Sequence, residues 1–277
     1  MRYLYKNTET MKLFDKILSW FKKPKKDTAG IKFGWKRDLP DHRDFKFKVS
    51  MPVDLPPMID LRDQCPPVYN QLDIGSCVGN GVAGVYQFEE MKQGKENFIP
   101  SRLFIYYNAR ALEGTISEDS GCSIRDGVKT AVNDGVCNET MWPYKTCKFK
   151  TKPTSDCYKA ALDNQVLEYQ RITPHNLYDV KQCLALGYPI ICGISLYESF
   201  MSEETARTGI VKMPNPNESL VGGHCIVIVG YNDDNQSLIV RNSWGDSWGM
   251  KGYFFLPYGY VSNPNLSADY WTIRLVE

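Results

Sequence analysis

Two short apolar runs on either side of a polar loop constrain the fold of this sequence more than any other feature. The runs span residues 222–231 and 237–242 and are rich in β-branched residues, and the loop 232–236 holds only Asn, Asp and Gln. Such runs bounded by turn residues predict two strands of an antiparallel pair. In that pair His224 and Asn242 would lie opposite each other, with Cβ atoms about 4.5–5.5 Å apart. The sequence therefore predicts an imidazole held by an amide on one face of a sheet.

A second constraint comes from Cys77, which follows Gly75 and Ser76 and precedes a predicted helix over residues 78–92. A thiol at a helix N-terminus lies near unpaired backbone N–H groups and the positive end of the helix dipole, and both favour the thiolate. A single cysteine is more often a small buried apolar residue. A sequence that also supplies an imidazole and an orienting amide has the groups that activate a sulfur nucleophile, which favours a catalytic role.

Four motifs in order resemble the papain and cathepsin family of cysteine proteases. They are Gln71, Gly75-Ser76-Cys77, Gly223-His224 before an apolar strand, and Asn242-Ser243-Trp244-Gly245. The spacing of Cys, His and Asn is typical of that family. The resemblance runs from about Leu55 to the C-terminus. The short lead segment is closest in style to cathepsin-B-like members of bacteria and large DNA viruses.

The resemblance implies an α+β, two-lobe papain-like fold with the active site in the cleft between the lobes. We expect a mostly helical lobe over residues 64–160 and a mostly β, barrel-like lobe over residues 166–277. With 277 residues, 43% of them apolar, the chain can bury a core for one unit or two small lobes. Residues 1–54 would then be an N-terminal leader or pro-segment, and residues 55–277 the catalytic domain.

The same resemblance implies roles for individual residues. Cys77 would be the nucleophile, and His224 would take its proton before substrate arrives to give a thiolate–imidazolium pair. Asn242 would orient the imidazole, and Trp244 would shield their hydrogen bond from solvent. Gln71 and the Cys77 backbone N–H would hold the oxyanion.

The implied activity is that of an endopeptidase, a thiol hydrolase that cleaves protein or peptide substrates through a thioester. An exopeptidase on the same fold and a catalytically silent binding protein are the alternatives. The family's carboxydipeptidase uses paired histidines, and the sequence has no His-His.

The substrate-binding wall departs from the family pattern. Many members have a Gly-Gly pair beside the substrate, whereas this chain has Ile124-Arg125-Asp126. Arg125 and Asp126 would therefore narrow or charge the wall. Gly222 and Gly223 leave room for a large apolar or aromatic substrate residue. The residues near Ala268 and Asp269 would floor the same pocket, and an acidic floor would admit Arg.

Two further departures lie beside Cys77. Ile74 replaces a cysteine that commonly forms a disulfide there, and Val78 replaces a tryptophan. Neither substitution alters the groups that the mechanism needs.

The leader divides into two parts. Residues 1–30 contain eight Lys or Arg and three Asp or Glu, and the whole chain has a net charge of +1. Residues 11–26 are basic with a helical apolar stripe, which is typical of a peripheral membrane or partner contact, and a disordered leader is the alternative. Residues 31–54 are hypothesised to lie extended over the cleft and keep the enzyme latent. The alternative is a tail that only packs on the surface.

Composition excludes several other classes. The body carries no excess of basic residues, so we expect no nucleic-acid partner. No secretory signal or transmembrane segment is recognisable, which favours an intracellular or virion-associated protein over a secreted one. The nine cysteines show no C-x-x-C spacing and there are only three histidines, so no metal or other cofactor is expected. Of the cysteines, Cys192 and Cys225 are predicted core residues, while Cys137, Cys147 and Cys157 are disulfide candidates.

Overall fold

The predicted antiparallel pair forms the centre of the larger of two sheets. The structure, a computed structural model, describes residues 30–49 and 54–277. The predicted basic amphipathic segment 11–26 lies outside the described residues. Residues 31–277 form one compact unit that mixes helices and strands, which is the α+β class expected.

Most of the longer helices lie in the first half of the described chain. They are α1 (Cys77–Lys92), α2 (Arg102–Leu112), α3 (Ile124–Asn133), α4 (Ser155–Ala161), α5 (Leu177–Ala185), α6 (Glu203–Thr208) and α7 (Gly259–Ser262). Short 3₁₀ turns span Arg62–Gln64, Thr146–Lys148 and Glu198–Met201. Side-chain caps set several helix starts as the sequence suggests. Ser101 accepts from Phe104 N at 3.2 Å before α2, and Ser123 accepts from Asp126 N at 3.1 Å before α3.

The strands lie mainly in the second half. They are β1 (Trp35–Lys36), β2 (Met58–Asp60), β3 (Cys122–Ser123), β4 (Val166–Arg171), β5 (Ile190–Tyr197), β6 (Leu220–Asn232), β7 (Ser237–Arg241), β8 (Tyr253–Pro257) and β9 (Ser267–Val276). The main sheet has the order β4-β9-β5-β6-β7-β8, with β2 paired to β6. The path of this sheet ends at β4 and β8, whose outer edges carry the isolated bridges Lys46 to Arg171 and Ile210 to Phe255, so over the described ranges the β lobe is not a closed barrel.

The register of the central pair differs from the prediction. Strand β6 pairs with β7 so that Val227 faces Arg241, and an irregularity follows between Ile228 and Gly230. The backbone of His224 therefore pairs with Ile194 of β5, on the other side of β6, and not with Asn242. The predicted hairpin is correct, but its register is wrong because Asn232 already pairs with Ser237 beside the loop, which leaves Asn242 short of the position level with His224; the bulge reduces this offset by only one residue.

Helix α1 lies against the main sheet and is buried on all sides from Cys77 to Glu90. Its glycines permit this close packing. An added Cβ at Gly81 would lie 3.1 Å from Cys225 Sγ, and one at Gly79 would lie 2.6 Å from the Arg102 carbonyl. The helix that carries Cys77 is thus held between α2 and β6.

All nine cysteines are free. The disulfide candidates Cys137 and Cys157 are buried and Cys147 is exposed, and none of the three forms a disulfide, so that expectation is wrong. Cys192 and Cys225 lie in the core as predicted. Among the described residues, no helix combines the length and apolar character that a membrane crossing needs.

Candidate active site

Cys77 is the first residue of α1, and its side chain is fully buried. Side chains from neighbouring elements fix the loop before it. Gly75 N donates to Asp119 Oδ1 at 3.0 Å, and Ser76 Oγ lies 2.5 Å from the Tyr144 hydroxyl. Asn80 Nδ2 then donates to the Ser76 carbonyl at 3.0 Å. These contacts hold the first turn of α1 in place and thereby set the position of the sulfur.

His224 and Asn242 meet through their side chains despite the altered register. The distance between His224 Nε2 and Asn242 Oδ1 is 2.8 Å. Because an amide oxygen only accepts, Nε2 carries the hydrogen and Nδ1 is the acceptor nitrogen in the neutral ring. The Trp244 ring lies 4.9 Å from the imidazole, centroid to centroid. Nδ1 is buried and has no hydrogen-bond partner in the part of the chain that the structure describes.

The backbone of β6 connects the imidazole to the sulfur. The backbone amide of Cys225, the residue after His224, lies beside the Cys77 thiol. This strand thus brings His224 into the same part of the site as Cys77, although among the described residues Nδ1 makes no hydrogen bond to the thiol.

Gln71 is fully buried and is held on both ends of its amide. Its Oε1 accepts from Ser243 Oγ at 2.7 Å. Its Nε2 donates to the Ile74 carbonyl at 3.1 Å and to the Lys32 carbonyl at 3.0 Å. A carbonyl oxygen from residue 32 therefore occupies the donor that was predicted to hold the oxyanion.

Residues 31–49, here called the covering segment, lie along the site. Strand β1 pairs in parallel with β3, with Cys122 N donating to the Gly34 carbonyl at 2.8 Å. Gly34 passes so close to Gly75 that an added Cβ would lie 1.7 Å from the Gly75 carbonyl oxygen. Only a glycine allows this approach. The backbone of the covering segment thus runs directly over the loop that precedes Cys77.

Two aromatic side chains of the covering segment lie against the predicted pocket glycines. Phe33 contacts Gly222, and the Trp35 indole contacts Gly223 and Gly193. Trp35 Nε1 also donates to Asp269 Oδ2 at 3.1 Å. Ala268, the residue before Asp269, pairs with Gly193 across β5 and β9. The Trp35 indole therefore lies against the glycines predicted to shape the substrate pocket and donates to the carboxylate predicted to floor it.

Burial sets the protonation of the two central groups. It raises the pKa of the Cys77 thiol to about 11, and the nearby Cys225 and Gly34 amides only partly offset this. It lowers the pKa of His224 to about 4, although the hydrogen bond that His224 donates to Asn242 acts in the opposite direction. Burial therefore favours the neutral thiol and the neutral imidazole over the expected thiolate–imidazolium pair, because a covered site solvates the two charges poorly.

The charged wall residues contact the covering segment or their own helix. Arg125 makes a bidentate pair with Asp44, with Nε to Oδ1 at 3.0 Å and a terminal nitrogen to Oδ2 at 2.7 Å. The Asp126 carboxylate accepts from Ser123 Oγ at 2.8 Å within the first turn of α3. Arg125 therefore holds the covering segment, whereas Asp126 stabilises the start of its helix.

The family model described as Papain family cysteine protease matches residues 55–270 of the 277. An uncharacterized peptidase C1-like protein of Acanthamoeba polyphaga mimivirus is 41% identical over 278 residues, covering 90% of this chain and 89% of that protein. The chain belongs to the papain family of cysteine proteases. It is therefore a thiol hydrolase, and the resemblance drawn from the sequence motifs is confirmed.

Solved structures agree with this assignment. Xylellain, a cysteine protease from Xylella fastidiosa, superposes with a TM-score of 0.82 at 39% identity, covering 88% of this chain and 96% of that one. A digestive procathepsin L 3 of Tenebrio molitor larval midgut shares the fold, with a TM-score of 0.67 at 18% identity over 84% of this chain and 75% of that one. Mouse cathepsin K is 28% identical over 217 residues, which cover 73% of this chain and 60% of that protein.

Three residues that hold the covering segment on this papain-family site were missed by sequence reasoning, namely Asp38, Asp44 and Arg171. Asp38 and Asp44 lie in the segment that was predicted to cover the cleft. Their partner Arg125 was predicted, as a residue that would charge the cleft wall. Pairing those opposite charges could have linked Asp44 to Arg125. Arg171, which donates to Asp44 Oδ2 at 2.6 Å, gave no signal because it lies in an ordinary strand far from every motif.

Proposed function

We propose that this papain-family chain is a latent cysteine endopeptidase whose own residues 31–49 block the cleft. The observation that carries the proposal is the hydrogen bond of 3.0 Å from Gln71 Nε2 to the Lys32 carbonyl, beside a fully buried Cys77. A substrate carbonyl needs that same donor. Residues 1–54 would act as the leader and residues 55–277 as the catalytic domain.

The proposed reaction is acyl transfer in two steps. His224 Nδ1 takes the Cys77 proton, and the thiolate attacks the substrate carbonyl carbon. The Gln71 amide and the Cys77 backbone N–H hold the oxyanion, and each such donor is worth about 10²–10³ in turnover. The imidazolium then protonates the leaving amine, and a thioester remains. Water, deprotonated by His224, cleaves the thioester to release the acid and restore the thiol.

Asn242 would act as a positioning residue in this reaction. Its Oδ1 accepts from His224 Nε2 at 2.8 Å, which keeps Nδ1 as the basic nitrogen. Trp244 packs against the ring and excludes water from that bond. An imidazole fixed in this tautomer can serve as base in the first step and as acid in the second.

Latency would have two physical causes. The covering segment occupies the oxyanion donor, and its burial of Cys77 and His224 favours their neutral forms. When the segment leaves, water can solvate the thiolate and the imidazolium, and the ion pair becomes accessible. The covering segment would thus block the oxyanion donor and keep Cys77 and His224 neutral at the same time.

The path of the covering segment favours an endopeptidase over an exopeptidase. Its backbone runs continuously from Lys32 at Gln71, past Gly34 over Gly75, to Asp38 beside Asp269. A cleft that holds this length of continuous chain can accept an internal stretch of a substrate. An exopeptidase, by contrast, needs a group that closes one end of the cleft.

A thiol trap and a peptide library test the proposal. An epoxide or vinyl-sulfone reagent should label the full chain after the segment is loosened, and Cys77→Ala should abolish both labelling and hydrolysis. Cys147→Ala is the matched control, because it removes the exposed thiol and should leave turnover unchanged. Internal cleavage of peptides blocked at both ends supports the endopeptidase. Labelling that survives Cys77→Ala would contradict the assigned nucleophile.

A further inference from the structure

The outer part of the covering segment is held by two arginines of the body. Asp44 Oδ1 and Oδ2 accept from Arg125 at 3.0 and 2.7 Å, and Oδ2 also accepts from Arg171 at 2.6 Å. The Asp44 side chain is only 6% exposed, and the arginine side chains are 9% and 16% exposed. A planar guanidinium that meets a carboxylate with two parallel hydrogen bonds is specific for that ligand. We call Arg125 and Arg171 the arginine clamp.

We propose that the arginine clamp is a carboxylate-binding subsite of the cleft, which holds Asp44 in the covered chain and takes an Asp or Glu side chain of the substrate once the covering segment leaves. This inference rests on the proposed function, because it names the substrate class of the same cleft.

The two arginines differ in the salt bridges that they keep after Asp44 leaves. Arg171 keeps Asp269, to which it donates at 3.2 Å. Arg125 has no second salt-bridge partner among the described residues. Departure of the covering segment leaves the Arg125 guanidinium without an anionic partner, and its planar fork matches the two oxygens of a carboxylate, whereas a neutral amide offers only one accepting oxygen. The empty clamp therefore favours a carboxylate over a neutral amide.

The clamp also lies within reach of a bound peptide. From the Trp35 indole the path runs over Asp269 and Arg171 to Asp44, through hydrogen bonds of 3.1, 3.2 and 2.6 Å. Trp35 and Asp44 lie nine positions apart in the covering segment, so one continuous chain reaches both the pocket and the clamp. A substrate whose large side chain fills the Trp35 pocket can thus place a carboxylate in the clamp with a residue up to nine positions from it.

The decisive experiment asks whether the clamp binds a carboxylate without depending on catalysis. It uses the full chain with Cys77→Ala, to prevent self-cleavage, and measures hydrogen exchange of the amides from residue 33 to 36. Adding Asp44→Ala should raise that exchange about 100-fold, because two guanidiniums lose their partner. Sodium acetate should reverse the rise at least tenfold, while acetamide at constant ionic strength should not.

Two variants control this experiment. Asp41→Ala changes a carboxylate of the same loop that pairs only with exposed Arg43, and it should leave exchange unchanged. Asp44→Ala combined with Arg125→Met should lose the response to acetate. Equal effects of acetate and acetamide, or an acetate response that survives Arg125→Met, would overturn the carboxylate subsite.

A second arm tests the substrate class directly. Full chain loosened by Trp35→Ala should cleave a blocked peptide with Asp near the pocket-filling residue about tenfold faster, in kcat/KM, than the matched Asn peptide. Arg125→Met should abolish that preference. Equal rates for the two peptides would overturn the inference, whereas failure to cleave either peptide would count against the proposed function and leave the acetate experiment to decide the clamp.

Discussion

The two halves of the covering segment are held in different ways. The inner half, Lys32–Trp35, docks through backbone hydrogen bonds and an indole in a pocket. The outer half, Asp38–Asp44, docks through buried carboxylates. The inner half contributes no carboxylate of its own, and it meets the body's carboxylates only through the Trp35 indole at Asp269 and the Lys32 ammonium at Asp119. The inner half therefore occupies the oxyanion donor and the pocket, whereas the outer half contributes the segment's own buried carboxylates.

Within the outer half, the two carboxylates face opposite surroundings. Burial would raise the pKa of Asp44, but hydrogen bonds from Arg125 and Arg171 outweigh it and hold that pKa below its usual value. Burial and the neighbouring Asp269 raise the pKa of Asp38 to about 6, although Trp271 and the Arg125 backbone N–H donate to it. A buried carboxylate is thus stabilised as an anion only where guanidiniums face it.

The largest expected effect tests the inner half. Trp35→Ala removes a large half-buried aromatic side chain and its hydrogen bond to Asp269. Loss of such a side chain costs about 3–5 kcal/mol, so docking should weaken by at least about 100-fold. Initial rates of the full chain on a blocked peptide should rise accordingly. Leu39→Ala is the control, because Leu39 is 80% exposed; a similar rise in that variant would contradict the role of the pocket.

A double-mutant cycle tests the outer half, and the expected effect on docking is nearly as large. Asp44→Asn alone should weaken docking by up to about 100-fold, since it leaves two buried guanidiniums without an anion. Asp44→Asn combined with Arg125→Met should be less damaging than the sum of the two single changes. Exchange of the residue 33–36 amides in a Cys77→Ala background gives the four values. Additive effects would show that the pair does not hold the segment.

The dependence of docking on pH should follow Asp38. Its pKa rises from 3.8 to about 6 on docking, so docking takes up a proton. The stabilisation is complete below about 4 and is lost as the pH rises through about 6, a change of up to about 100-fold. The contribution of Asp44 to docking has the opposite dependence on pH, because its pKa is lowered on docking. That contribution is complete above about 3.8 and is lost only in stronger acid. The full chain should therefore be most latent near pH 5 and less latent near pH 8. Equal docking at pH 5 and at pH 8 would contradict the assignment of this pH dependence to Asp38.

The same two halves show what the sequence could predict. The inner site follows from local motifs, since Cys77 begins a helix and His224 and Asn242 lie on adjacent strands. The side-chain contact between His224 and Asn242 is present although the predicted register was wrong, because side chains can reach across a shift that the backbone pairing cannot. The class of enzyme was predictable for the same reason.

The charges of the outer half could not be placed from the sequence. Asp44 and Arg171 are 127 residues apart, and no periodicity or motif links a loop carboxylate to a strand guanidinium at that separation. The burial that favours neutral Cys77 and His224 was not foreseen for a related reason. The helix terminus is a local property that sequence reveals, whereas burial by a distant segment depends on the completed fold.

The smallest expected change, and the sharpest test of the charge argument, is Asp38→Asn. The amide cannot carry the negative charge that opposes Asp269, so docking should lose its dependence on pH between 5 and 8. It also offers one acceptor oxygen where the carboxylate accepts from both Trp271 Nε1 at 2.8 Å and Arg125 N at 3.2 Å. One lost hydrogen bond costs about 1 kcal/mol, so docking at pH 5 should fall by less than about tenfold. Comparing exchange of the residue 33–36 amides at the two pH values separates these effects. A variant that keeps the full pH dependence of the wild-type chain would show that Asp38 is not the group that titrates, and Asp269, whose pKa burial also raises, would then take its place.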